Sequence, residues 1–177
     1  MASTKSRVVI IGGGFAGCKV AKLLAADASM HVTLIDPKEF FEIVIAHPRA
    51  LVLPEWGQRS ILPYSAFLAG VHCVKGQAAS IDAKKVETDS GQVVEFDYCV
   101  VAVGSSYAGF LKAAPSTSTA AQRLSELHAL SVKLKGASQV LVVGGGPSGV
   151  ELAFEILDTY PSKKVPQRSR VSLTSAS

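Results

Sequence analysis

The chain has 177 residues, enough for one large domain or two small ones with a buried core. Hydrophobic residues make up 48% and charged residues 18%, which excludes a disordered chain. The net charge of +4 comes entirely from residues 161–177, where Lys163, Lys164, Arg168 and Arg170 stand without an acid, so no nucleic-acid partner is expected.

Arg7–Ile11 predicts a buried strand, and Gly12-Gly13-Gly14-Phe15-Ala16-Gly17 comes at once after it. A helix to about Ala26, with Val20, Leu23 and Leu24 on its buried side, leads to a second strand, His31–Ile35, that ends on Asp36-Pro37. Glu42–Leu53 has helical character broken by Pro48, and Pro54, Gly57 and Pro63 punctuate the next stretch of chain. Short strands are then expected at Val71–Lys75, Ala78–Ile81, Lys85–Thr88 and Val93–Phe96, with a turn over Asp89-Ser90-Gly91-Gln92, as a small antiparallel insertion. Tyr98–Val103 reads as a buried strand stopping at Gly104, and residues 113–121 as a low-complexity linker. Leucines at helical spacing mark Ala121–Lys135, closed by Gly136.

The opening pattern then returns. Gln139–Val143 is a strand, Gly144-Gly145-Gly146-Pro147-Ser148-Gly149 a loop and Val150–Asp158 a helix, about 132 residues after the first copy. The expected division is a first dinucleotide-binding domain over 1–110, a linker and helix over 111–137, a partial second unit over 138–165, and a basic, disordered tail over 166–177.

Both loops suit the phosphates of a dinucleotide. Gly12 permits the tight turn out of the strand, Gly14 admits the pyrophosphate, and Gly17 lets helix and strand pack. The phosphates meet backbone N–H groups at the positive end of a helix dipole. Asp36, 24 residues after Gly12, is placed to accept both ribose hydroxyls. The second loop, Gly144-x-Gly146-x-x-Gly149, lacks a following strand and acid. Pro166 argues against a central strand there, and the segment reads first as a tail, with Arg168 or Arg170 as alternative partners of a 2′-phosphate. Two loops imply two dinucleotides, most simply a nicotinamide and a flavin. The four histidines, at 31, 47, 72 and 128, give no metal-ligand spacing. Cys18, Cys73 and Cys99 lie too far apart for a redox pair, which suits reduced thiols and a cytoplasmic location. The start of the chain shows no apolar signal core, and Ala2 stands where N-myristoylation needs glycine.

Val8–Gly17, Ala102-Val103-Gly104-Ser105 and Val142–Glu151 resemble the pyridine-nucleotide-dependent flavoproteins. Phe15, Arg49-Ala50 after Pro48, and Tyr160-Pro161-x-Lys163-Lys164-Val165 make the resemblance most specific to the apoptosis-inducing-factor-2-like, or ferroptosis-suppressor-like, NAD(P)H:quinone oxidoreductases. The resemblance implies a Rossmann-like α/β fold with FAD on Gly12, Gly13, Gly14, Phe15, Ala16, Gly17, Asp36, Arg49, Ala78 and Gly104. It implies NADH or NADPH on Gly144, Gly146, Gly149 and Glu151, with Glu151 the one candidate catalytic residue, near where nicotinamide and flavin stack. The implied partner is a small quinone-like electron acceptor, with peripheral membrane contact a property of longer family members. The Cys-x4-Cys pair of disulfide reductases is missing, as are the later segments of the family, so the chain reads as a truncated form. The resulting expectation is electron transfer from NAD(P)H through FAD, and the alternative is an incomplete form that binds nucleotide or a partner without turnover.

Overall fold

The computed structural model describes residues 5–106 and 109–168. They fall into two compact units. One runs up to Glu42 and resumes over Ile61–Arg123, and the other comprises Ile43–Ser60 and the chain from Leu124.

The first unit is built on a four-stranded parallel sheet. Its strands are β1 (Ser6–Ile11), β2 (Met30–Asp36), a third over Val71–Lys75 and a fourth over Tyr98–Val101, and β1 and β2 lie at its centre. Apolar runs with both faces covered explain the central pair. Val8, Ile10, Val32 and Leu34 pack with Cys18 and Ala21 of helix α1 (Phe15–Ala25). Val9, Ile11 and Ile35 point the other way, onto Val74, Val86 and Phe96. Val86 belongs to a three-stranded antiparallel sheet formed by Ala78–Ile81, Lys85–Thr88 and Val93–Glu95, whereas Val71–Lys75, expected as the first strand of that insertion, pairs in parallel with β2 in the main sheet. The α/β fold read from the sequence is therefore present.

Several expectations need correction. Leu23 is exposed, because the buried stripe of α1 runs through Gly17, Cys18 and Ala21. The Tyr98–Val101 strand is an edge of its sheet, which leaves Tyr98, Val101 and the following Val103 exposed. Residues 113–121 are fastened rather than free. Ala113 N–H donates to both oxygens of Glu42 (3.2 and 3.1 Å), and Glu39 N–H donates to the Ser118 carbonyl (3.0 Å). Glu42 in turn accepts from Arg123 Nε at 3.1 Å, in a pair whose side chains are both buried. At the start of β1, Arg7 donates to Asp97 (Nη2–Oδ1 3.0 Å) and to Glu95, and this holds the Asp97 carboxyl down at about 2.

In the second unit, residues 43–60 are short helical turns rather than one helix, as Pro48 and Pro54 dictate. The helix expected at 150–158 begins earlier, over Pro147–Thr159, with Pro147 in its first turn where a missing N–H costs nothing. The largest departure is at 164–168. Val142–Val143 pairs in parallel with Gln167–Arg168, so the unit does have a second strand. Lys164 and Pro166 carbonyls accept from Val140 (2.9 Å) and Val142 (3.1 Å) N–H groups. Pro166 removes one donor, but its carbonyl still serves the ladder at this edge strand. The remainder of the expected tail, from Ser169, lies outside the described residues.

Candidate functional site

The first glycine loop is locked from within its own unit. Gly13 N–H donates to Asp36 Oδ2 at 2.6 Å, while the Gly13 carbonyl accepts from the Tyr64 hydroxyl (3.1 Å) and the Cys18 thiol (3.2 Å). Asp36, the last residue of β2, is 6% exposed, so its carboxylate is fixed at the loop. Its Oδ1 accepts from Lys38 N–H at 2.8 Å and lies 3.5 Å from Lys38 Nζ. A carboxylate offers about four acceptor sites, so Asp36 holds the loop and retains lone pairs for hydroxyl donors.

The glycines divide into two kinds. Gly12 sits at φ 102°, and a Cβ there would be driven into the Ala102 carbonyl. One on Gly17 would strike the Gly12 carbonyl. At Gly14 a Cβ would meet no protein atom within 4 Å. Gly12 and Gly17 are thus required by the chain itself, whereas Gly14 borders open space at the helix start. No side chain caps the first amides of α1 and no acid stands in its first turn, so their positive end faces that space. A cavity of about 280 Å³ lies beside Asp36 and Tyr64, the two side chains bonded to Gly13, and Lys38, Ser65, Cys73 and Lys75 also line it. Polar ribose and phosphate partners with an adjacent cleft fit the adenosine and pyrophosphate of a dinucleotide such as FAD.

All three cysteine thiols are shifted toward their neutral form. Burial, then the neighbouring Asp36 charge, pushes Cys18 up to about 12, and burial raises Cys73 and Cys99. Phe15 is half exposed and meets Phe41 edge-to-face at 4.9 Å, and Ala16 is exposed in the first turn. Ala78 opens the antiparallel sheet opposite Thr88. Gly104 has φ 67° with nothing near its Cβ position.

The second unit repeats the cradle. Gly144 has φ 123°, a Cβ on Gly149 would strike the Gly144 carbonyl, and one on Gly146 would meet nothing within 4 Å. Its helix also begins without a side-chain cap or a first-turn acid. Here the second strand is tied to the loop by an amide, as Gln167 Nε2 donates to the Gly144 carbonyl at 3.1 Å. Glu151 is exposed on the helix, one turn before Glu155.

Arg49 belongs to this second unit and has a protein partner in it. Its Nε and Nη2 donate to Glu155 Oε1 at 2.9 and 2.7 Å, and its guanidinium lies 5.4 Å from the Trp56 ring centre. Glu155, then, raises the Arg49 pKa, while the arginine stays about half exposed. Sequence reading missed Glu155, Tyr64 and the Glu42–Arg123 pair. None carries a motif, and each is defined by a partner 51 to 106 residues away.

The family model described as pyridine nucleotide-disulphide oxidoreductase matches residues 6–166. Apoptosis-inducing factor homolog B of Dictyostelium discoideum is 36% identical over 163 residues, covering 92% of this chain and 42% of that protein. Human ferroptosis suppressor protein 1 is 31% identical, covering 89% and 42% respectively. The solved sulfide:quinone oxidoreductase of Aquifex aeolicus has a TM-score of 0.66 at 26% identity, covering 91% of this chain and 42% of that one. The chain thus spans 42% of the length of these proteins. Among the described residues, no helix is long and apolar enough to cross a membrane.

Proposed function

Since the chain belongs to the pyridine nucleotide-disulphide oxidoreductase family, we propose that it binds FAD on its first glycine loop and NAD(P)H on its second, and serves electron transfer to a quinone-like acceptor. The observation that carries this reading is the repeated cradle. In each loop one glycine has positive φ, one is closed by backbone, and one faces open space at an uncapped helix start. A structural turn needs the first two and gains nothing from the third, whereas a pyrophosphate needs all three.

FAD, when bound, accepts a hydride from reduced nicotinamide and passes electrons onward. The chain's own residues do the holding. Asp36 accepts ribose hydroxyls while fixing Gly13, and the first amides of α1 receive phosphate oxygens. Ala78 and Gly104 supply backbone to the cofactor, and Glu151 stands in the second loop's helix as the candidate group near the nicotinamide. No side chain is required as a nucleophile. The likeness to a solved structure named as a sulfide:quinone oxidoreductase supports the choice of acceptor class. The test is reconstitution with FAD. Stoichiometric flavin in the parent chain and its loss in Gly14→Val support the first-loop assignment, and retention in that variant refutes it.

A further inference from the structure

Gly13 is held by both of its backbone groups, its N–H on Asp36 and its carbonyl under the Tyr64 hydroxyl and the Cys18 thiol. Both donors to that carbonyl are buried, and Tyr64 is 3% exposed. Its ring lies in the same core cluster as Cys18 and Ala21 of α1 and meets Phe67 at 6.4 Å between ring centres. The Tyr64 backbone is anchored as well. Its N–H donates to the Glu39 carbonyl at 3.1 Å, directly after the Ile61–Pro63 strand, which pairs with Phe40–Glu42. Tyr64 and Asp36 therefore reach the loop from one connected framework. Burial, then the Asp36 charge, raises the Tyr64 pKa, so the phenol stays protonated and remains a donor. The fit is close, since a Cβ on Gly13 would run into the Tyr64 hydroxyl.

The Gly13 carbonyl and the Gly14 N–H belong to one trans peptide, in which the two groups point in opposite directions. Holding the carbonyl on two buried donors turns the Gly14 N–H away from the core, at a residue whose Cβ position meets no protein atom. Building on the proposal that this loop takes the pyrophosphate of FAD, we infer that Tyr64 is a positioning residue for the cofactor, aiming the Gly14 N–H at a phosphate oxygen through its hydroxyl on the Gly13 carbonyl. Cys18 is the weaker donor to the same oxygen. With glycine on both sides, this peptide would rotate readily without the clamp, and phosphate binding would carry the cost of ordering it.

Tyr64→Phe tests this, because it keeps the ring and removes only the hydroxyl. Flavin-fluorescence titration of the full chain should show FAD binding about tenfold weaker in Tyr64→Phe, and weaker still in Tyr64→Phe/Cys18→Ala. ADP, which carries the diphosphate, should lose affinity in parallel, whereas adenosine, which has no phosphate, should keep its affinity. A loss shared equally by ADP and adenosine would mean that the hydroxyl only supports the fold, and would overturn the inference, as would unchanged FAD affinity in both variants. Amide NMR of the parent chain needs neither variant. The Gly14 N–H should exchange quickly without ligand and shift strongly with ADP, and a Gly14 amide already protected in the free chain overturns the inference. Those results leave the first-loop reading in place. A parent chain that binds no FAD overturns that reading and this inference with it.

Discussion

Gly12 and Gly14 stand two residues apart in one loop, yet substitution should affect them differently. Gly12→Ala forces a side chain into positive φ and into the Ala102 carbonyl, so it should cost about 2–4 kcal/mol, read as a lower melting temperature. Gly14→Val should leave the melting temperature of the apoprotein nearly unchanged while removing FAD, because its side chain enters open space. Asp36→Ala should do both. It loses the charge-assisted bonds from Gly13 and Lys38, about 1.5–3 kcal/mol each before compensation, along with the ribose acceptor. Flavin retention should accordingly fall further in Asp36→Ala than in Arg49→Ala, since Arg49 is half exposed and replaceable by water. Equal retention in wild type and Asp36→Ala would remove the acid from the site. The glycines and Asp36 were legible in the sequence because a positive φ, a close backbone approach and a strand-end acid leave residue-level signatures. Tyr64 left none. Its hydroxyl on the Gly13 carbonyl is a tertiary contact between residues 51 apart.

Elements were legible where apolar period and glycine punctuation agreed, as in β1, α1 and β2. They were misread where main-chain bonding acts without hydrophobic help. Lys164–Arg168 is polar and contains a proline, yet its carbonyls complete a ladder that side-chain pattern does not announce. Burial on the Tyr98–Val101 strand was overestimated because an apolar run reports what a strand can bury, not whether it lies at a sheet edge. Two ion pairs fix element positions and should differ in worth. Arg123→Met leaves Glu42 buried beside Ala113 with its cation gone, and should destabilise the protein by about 3–5 kcal/mol. Arg49 is half solvated, so a double-mutant cycle over Arg49→Ala and Glu155→Gln should give a coupling well below the loss seen at Arg123. Urea unfolding of the single and double variants checks both, and a larger effect at Arg49 than at Arg123 would reverse the burial argument.

Two glycine-loop cradles in one chain are a feature that composition does not supply and that the repeat of the glycine pattern does. Acid stability of the folded protein should carry the mark of the Arg7–Asp97 pair. Asp97 titrates at about 2 when folded, against about 3.9 for an ordinary aspartate, so its contribution is complete above pH about 4 and is lost as pH falls toward 2. Asp97→Asn should flatten that part of the stability–pH curve and leave the slope near neutral pH similar. Electron transfer requires that reduced nicotinamide held by one cradle reach flavin held by the other, which neither site tests by itself. Anaerobic titration of the FAD-reconstituted chain with NADPH, read by the visible absorbance of the flavin, tests it. Stoichiometric bleaching is expected, with recovery of the oxidised spectrum on adding a quinone. A chain that holds FAD but keeps its yellow colour under excess NADPH and NADH would contradict the oxidoreductase reading and favour a nucleotide-binding form without turnover.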